Sequence, residues 1–244
     1  MIKIENFEVL GWEHAIRGMR NPMNSWENSD SVFIDEDGDW YTITGDSDPF
    51  KNVDEFSTDG QQVYIGSNDL DLMKRLRNAG TDHRKFMRMI TVYLDITAPL
   101  YWWKEFDTYK VGTVANSCST MHKIAAKEFT LDDFSHEQLF HNVNDTEMWL
   151  DIDFLNVLDN TIFYLNKARE LYLKTHDKKY WWQMIQLLPS SYNQKRTVML
   201  NYEVLANIYK SRRHHKLDCW HTFCDWIESL PYSELITGKE HEVE

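Results

Sequence analysis

Cysteine is scarce in this 244-residue chain, and its three examples, Cys118, Cys219 and Cys224, form no CxxC pair. An odd number so spaced supports neither a disulfide framework nor a structural zinc site, so each is expected to be a reduced residue of the core or of a site. Long apolar runs are missing as well. Nothing approaches the roughly 20 residues that a membrane-crossing helix needs, and the opening MIKIENFEVL lacks the layout of a secretory signal. The expectation is a cytoplasmic protein that does not enter a membrane. Positive charge is also short, with 26 Lys and Arg against 39 Asp and Glu and a formal net charge of −13. That balance speaks against a general nucleic-acid binder, which needs a positive face, but allows a local basic pocket for one nucleotide.

Familiar chemical signatures are absent in turn. There is no P-loop, no GxGxxG, no HExxH, no GxSxG and no clustered Cys/His set, so no metal is expected. The adjacent His214 and His215 point to different sides of a helix and read as surface residues. Asp35-Glu-Asp-Gly-Asp39 lacks the distal Glu of a calcium loop and reads as a hairpin turn. No repeat, low-complexity stretch or linker divides the chain.

What is present is a globular composition, 42% apolar and 27% charged, with 14% aromatic residues including ten Trp. So many large rings imply a big core or an interface between copies. The pattern predicts one domain over residues 1–244 with an acidic β insertion at 30–66. Ile2, Ile4 and Phe7 alternate as a strand, and a helix is expected around Glu13 to Met19. Ser67 is placed to cap a helix running to about Ala79, with Leu70, Met73 and Leu76 inward and Gly80 as its stop. Ile90, Val92, Leu94 and Ile96 form the clearest strand, broken at Ala98-Pro99 before an aromatic helix over 100–109. A small-residue loop, 110–122, offers hydroxyl and amide groups at close range. Thr130 and Asp133 start a short helix. A long helix follows over 151–175 with Phe154, Leu155, Leu158, Ile162 and Leu165 inward, and another over 178–188 with Trp181, Ile185 and Leu188 inward. Trp220, Phe223, Ile227 and Leu230 mark a last helix, and the tail 239–244 is expected to be loose.

Residues 187–212 carry the most information. A Pro-Ser-Ser break and the basic Lys195-Arg196 lead into a β-favouring run, Thr197 to Leu200. Asn201 is then placed as an N-cap, with Val204, Leu205 and Ile208 on one buried stripe. Asn207 and Arg212 lie close to that stripe, and a polar group facing packed structure needs a partner. Arg forks suit phosphate oxygens and uracil-like carbonyls, though a solvated basic face is an equally good reading of the spacing.

These residues resemble the C-terminal half of flavin-dependent thymidylate synthases, which reads roughly LPxxxYTxxxWxxNxxxLxxFLxLR and then AQWEI. Leu188-Pro189, Lys195 or Arg196, Asn201, Asn207, Arg212 and Trp220 match in order. Upstream, Ala98-Pro99 and the hydroxyl-rich loop are similar to the family's APxxxxxQxxRHRxxSxNExSxRY region, and Ala15-Ile-Arg17 is similar to its N-terminal AxRxS segment. The RHRxxS signature itself is rewritten as Thr108-Tyr109-Lys110-Val111-Gly112-Thr113. With one inserted residue, Asn116 and Ser119 take the later Asn and Ser positions, while Ser117 and Met121 stand where the family has Glu and Arg.

The resemblance implies an α+β fold with a central, mostly antiparallel sheet and flanking long helices. It implies methylation of dUMP, or an analogue, to dTMP with methylenetetrahydrofolate and reduced FAD, and with NADPH as the source of electrons. Arg212 and Ser119 would be the catalytic pair. Lys195, Arg196, Arg212 and Ser119 would hold the nucleotide, and Lys110, Asn116, Asn201, Asn207, His83 and Arg88 would face the flavin. The family assembles as a homotetramer, so an oligomer is implied too. The rewritten signature leaves a competing reading open, a nucleotide- or flavin-binding relative that acts as a sensor or interaction protein without turnover.

Overall fold

The structure is a computed structural model and describes residues 2–45, 63–140, 143–145 and 150–238. The chain opens with strand β1 (Lys3–Leu10) and helix α1 (Trp12–Arg20), then strands β2 (Val32–Ile34), β3 (Trp40–Tyr41) and β4 (Val63–Tyr64). Helix α2 (Ser67–Asn78), strand β5 (Thr91–Pro99) and helix α3 (Leu100–Phe106) follow. Next come β6 (Val114–Ser117), α4 (Thr120–Lys123), β7 (Val143–Asp145) and β8 (Leu150–Ile152). The long helices α5 (Phe154–Thr175) and α6 (Lys178–Leu187) precede β9 (Asn193–Asn201), α7 (Tyr202–Arg212), α8 (Asp218–Glu228) and α9 (Glu234–Thr237).

A four-stranded sheet has the order β1-β5-β9-β6, a three-stranded one the order β3-β2-β4, and β7 pairs with β8. The pairings within the two smaller sheets are antiparallel. The architecture is therefore α+β with antiparallel sheets and long helices, as the resemblance implies. Along β5 the alternation is literal, with Val92, Leu94, Ile96 and Ala98 all buried.

The residues form two compact units. Unit 1 comprises Met1–Asn6, Leu94–Lys110 and Ala115–Val198; unit 2 comprises Phe7–Tyr93, Val111–Val114 and Met199–Glu244.

Two groups of apolar side chains stand out among the described residues of unit 1. In one, Trp102 stacks on Phe106 at 5.1 Å and meets Trp103 edge-on at 4.9 Å, all three rings being buried. The Trp103 indole N–H donates to the Gln194 carbonyl at 2.9 Å, so this large ring is buried with its polar atom satisfied. The other joins Phe129, Phe134, Leu158, Leu165, Ala168 and Met184, which packs α5 against α6. Three expectations change here. Helix α5 begins at Phe154, because Asp153 caps it by accepting from the Asn156 N–H, and Phe154 is 48% exposed rather than part of the inward stripe. Met184 is the fully buried residue of α6, while Trp181, Ile185 and Leu188 pack around it partly exposed. The aromatic helix α3 also stops at Phe106, before Tyr109.

Unit 2 is built around α7, buried on nearly every side from Tyr202 to Tyr209 except at Asn207. Gly11 is the N-cap of α1; its φ is +91° and an added Cβ would stand 2.1 Å from the Met89 carbonyl oxygen, so no other residue fits there. Ser67 is the first helical residue of α2 rather than its cap. The capping is done from outside the helix, by the Asp30 carboxylate accepting from the Asn68 and Asp69 N–H groups at 2.8 and 3.1 Å. Between β2 and β3 the Asp35–Asp39 stretch is a hairpin turn, with Asp35 Oδ1 accepting from the N–H groups of Asp37 and Asp39. The rest of the acidic segment over 46–62, and the tail 239–244, lie outside the described residues.

A buried ion pair ties three parts of unit 2 together. Arg20 Nε sits 2.6 Å from Asp69 Oδ1, and its other nitrogens donate to the Ser25 and Asn28 carbonyls. Asp69 Oδ2 accepts from the hydroxyls of Ser29 and Ser31 at 2.6 and 2.7 Å. Two buried charges with nearly every lone pair and proton occupied are tolerable; either one alone would not be.

Candidate ligand site

The site in unit 2 begins with the N-terminus of α7. Asn201 is its N-cap, as the sequence pattern predicts, with the side-chain oxygen accepting from the Val204 N–H at 3.1 Å. The amide nitrogen of the same side chain then faces Gly112. A Cβ on Gly112 would stand 3.0 Å from it and 3.1 Å from Val204 Cγ2, and the glycine's φ is +80°. The left-handed backbone and the close Asn201 and Val204 side chains together favour glycine beside the α7 N-terminus.

One position into the first turn stands Glu203, buried to 8% exposure. Its carboxylate meets two guanidinium groups from the short 3-10 helix Arg84–Arg88: Arg88 Nε makes a close hydrogen bond to Oε2, and Arg84 Nε lies 3.4 Å from Oε1. Arg84 also donates to the Asn207 side-chain oxygen at 3.2 Å, one helical turn beyond Glu203. The bond to Glu203 raises the Arg88 pKa above its ordinary value.

A cavity of about 400 Å³ opens among these groups, lined by Thr81, Arg84, Arg88, Val111, Gly112, Asn201, Glu203, Val204 and Asn207. That size is within the range of small-molecule pockets. Two guanidiniums meet one buried carboxylate here, and a helix N-terminus adds positive character. Such a place favours an anionic group on a ligand.

Of the residues singled out from sequence, Asn201, Asn207 and Arg88 line this cavity together. Asn207 does so from an exposed position, not facing packed structure as its spacing suggests, because its side chain points at Arg84. His83 is exposed and is not among the lining residues. Arg212 sits at the far end of α7, about 16 Å along the axis from Asn201 at ~1.5 Å per residue. Its guanidinium lies 4.8 Å from the centre of the Trp220 ring.

The remaining candidates belong to unit 1. Lys195 is 3.0 Å from Asp95 and 4.0 Å from Glu5. Hydrogen bonds from Thr197, Asn6 and Lys195 pull the Asp95 pKa down to about 2. Arg196 is 2.7 Å from Asp107, donates to the Gln194 side chain at 3.0 Å, and lies over the Trp103 ring at 4.1 Å. The Cys118 N–H donates to the Lys195 carbonyl at 2.9 Å, so the backbone leading to Ser119 runs beside these two cations. Ser119 caps α4 by accepting from the His122 N–H at 3.1 Å, while Asn116 and Lys110 are exposed. Both cations expected to hold a phosphate are therefore already paired with carboxylates.

Sequence reasoning missed Arg84 and Glu203. The signal available was an acid two residues after an N-cap, opposite two arginines four apart. Among the described residues no group of His, Cys, Asp and Glu is arranged to hold a metal, and no helix is long and apolar enough to cross a membrane.

No protein-family model and no curated protein matches this sequence. Solved structures do match the fold. The flavin-dependent thymidylate synthase ThyX from Helicobacter pylori, solved with FAD and dUMP, superposes with a TM-score of 0.62 at 15% identity, covering 98% of this chain and 98% of that one. A UMP/dUMP methylase, PolB from Streptomyces cacaoi, solved with 5-Br UMP, gives 0.54 at 13% identity, covering 98% and 94%. Across nearly its whole length the chain has an α+β fold similar to that of ThyX.

Proposed function

We propose that this protein binds FAD and a pyrimidine nucleotide and methylates dUMP, or a close analogue, to dTMP with methylenetetrahydrofolate. The observation that carries the proposal is convergence: Asn201, Asn207 and Arg88, singled out as flavin-side residues from sequence, line one cavity of about 400 Å³. The fold similarity to ThyX solved with FAD and dUMP supports it from a separate direction.

The residues fit the groups that such chemistry needs. Glycine at 112 keeps the wall beside Asn201 and Val204 open, where a Cβ would intrude. Reduced flavin, when bound, supplies the electrons that turn the one-carbon unit into a methyl group, and NADPH would restore them. The chain's own task is to hold and orient. Arg84 and Arg88 would take an anionic group, Asn201 and Asn207 would offer amide hydrogen bonds to a heterocycle, and Lys110, Asn116 and His83 would close the flavin side. Lys195, Arg196 and Ser119 would hold the nucleotide phosphate. Arg212, beside the uracil ring, would stabilise negative charge that develops on a carbonyl oxygen, making C5 the nucleophile.

Such a site would be completed by further copies of the chain in a tetramer. The outer side of α5 supports assembly: Val157 is 66% exposed, Tyr164 60% and Leu171 42%, at helical spacing on one face. Light scattering on the purified protein tests this, with a mass of four chains expected.

A second reading is favoured by one observation. Lys195 and Arg196 are both engaged by carboxylates, so a nucleotide must displace Asp95 or Asp107 to reach them. A relative that binds flavin or nucleotide without turnover would tolerate that. Incubation with FAD, dUMP, methylenetetrahydrofolate and NADPH, followed by chromatography of the nucleotides, separates the two. Formation of dTMP is expected; flavin uptake with no dTMP selects the binding protein, and no affinity for either ligand rejects both.

A further inference from the structure

We infer that Arg84 and Arg88 form a seat for the phosphate or pyrophosphate group of a ligand, and that Glu203 is an internal anion that holds Arg88 until the ligand draws it away, while Arg84 keeps the carboxylate paired. The inference rests on the proposed function and deepens it by assigning a chemical role to Arg84 and Glu203, which the family pattern does not name.

The geometry is asymmetric in a way that suits exchange. Arg84 has 19% side-chain exposure and bonds both Glu203 and Asn207. Arg88 is 59% exposed and meets Glu203 from the solvent side. Moving Arg88 onto an incoming phosphate leaves Arg84 in place, so the buried carboxylate keeps a cationic partner throughout. That matters because an unpartnered buried charge is costly while an exposed pair contributes little. Glu203 also lies in the first turn of α7, where the N–H dipoles favour an anion whether or not Arg88 is bonded to it. The carboxylate can therefore stay while one guanidinium leaves. Guanidinium forks match phosphate oxygens in pairs, which makes phosphate a better partner for Arg88 than a carboxylate already shared with Arg84.

The test is a calorimetric titration of the full-length protein with inorganic pyrophosphate, which carries neither flavin nor pyrimidine. Replacing Glu203→Gln removes the competing charge and is expected to tighten pyrophosphate binding about tenfold. Arg88→Gln, at an exposed position, is expected to weaken it about tenfold. Unchanged or weaker binding in E203Q, or unchanged binding in R88Q, overturns the seat; if E203Q fails to fold, R88Q alone decides. FAD against riboflavin, and dUMP against deoxyuridine, then show whose phosphate is held, the E203Q gain being expected only for the phosphorylated member of one pair. Should pyrophosphate behave as expected while FAD and dUMP do not bind, the seat stands and the proposed function falls. Should FAD or dUMP bind with no response to either substitution, the proposed function stands and the seat falls.

Discussion

The two units use charge in opposite ways. Unit 1 pairs Lys195, 42% exposed, with Asp95, and Arg196 with the exposed carboxylate of Asp107. Unit 2 takes charge inside, at Arg20–Asp69 and at Glu203 beneath Arg84 and Arg88. Surface pairs contribute little and are easily exchanged for a ligand. Buried ones commit the surrounding structure, because each partner depends on the other. The contrast predicts that loss of Asp95 is tolerated and that loss of Asp69 is not.

The largest effect is expected at the buried pair. Asp69→Ala leaves the Arg20 guanidinium without its anion and should cost about 3–5 kcal/mol in denaturant unfolding. An unfolding midpoint close to that of the parent protein would erase the distinction between the units. Unit 1 should be sensitive to packing instead. Leu165→Ala, at a fully buried position between α5 and α6, should cost ~2–5 kcal/mol by the same measurement.

Gly112→Ala comes next. Its φ of +80° and 3.0 Å clearance from Asn201 predict a loss of about 1–2 kcal/mol for placing a side chain in the left-handed region, with weaker ligand binding in addition. Retained affinity with lowered stability would mean the position matters only for the backbone.

Acid should reveal the surface network of unit 1. The Asp95 pKa is depressed to about 2, so its pairing stabilises the fold above the ordinary carboxylate range and is lost as the pH falls through the depressed value. Between pH about 4 and about 2 the parent should lose stability more steeply than Asp95→Asn does, which a set of denaturant curves would show. The smallest effect is chemical. A thiol reagent should modify Cys118, which is exposed, in the folded protein. Cys219 and Cys224 should react only on unfolding, since both are buried and burial pushes the Cys224 thiol up to about 11.

Much of the fold was legible from local pattern. Alternation at Val92, Leu94 and Ile96 gave β5, and Asn201 ahead of an apolar stripe gave the start of α7. The misreadings arose where a partner distant in sequence decides. Ser67 looks like a cap, but Asp30 supplies the capping carboxylate from 37 residues earlier. Phe154 fits the inward stripe by spacing, yet the first turn of α5 leaves it half exposed. The site divides in the same way. Asn201, Asn207 and Arg88 were visible as residue types in a pattern. The junction of Glu203 with Arg84 and Arg88 spans more than 110 residues and follows from tertiary packing alone.

The account rests on the claim that the cavity at the α7 N-terminus takes a phosphate-bearing flavin. Titration of FAD into the full-length protein, followed by flavin absorbance and fluorescence, tests it directly. The expected result is saturable binding of one FAD per chain, weakened about tenfold in Arg88→Gln, which leaves Arg84 paired with Glu203. No saturable binding, or equal affinity in Arg88→Gln, would contradict it.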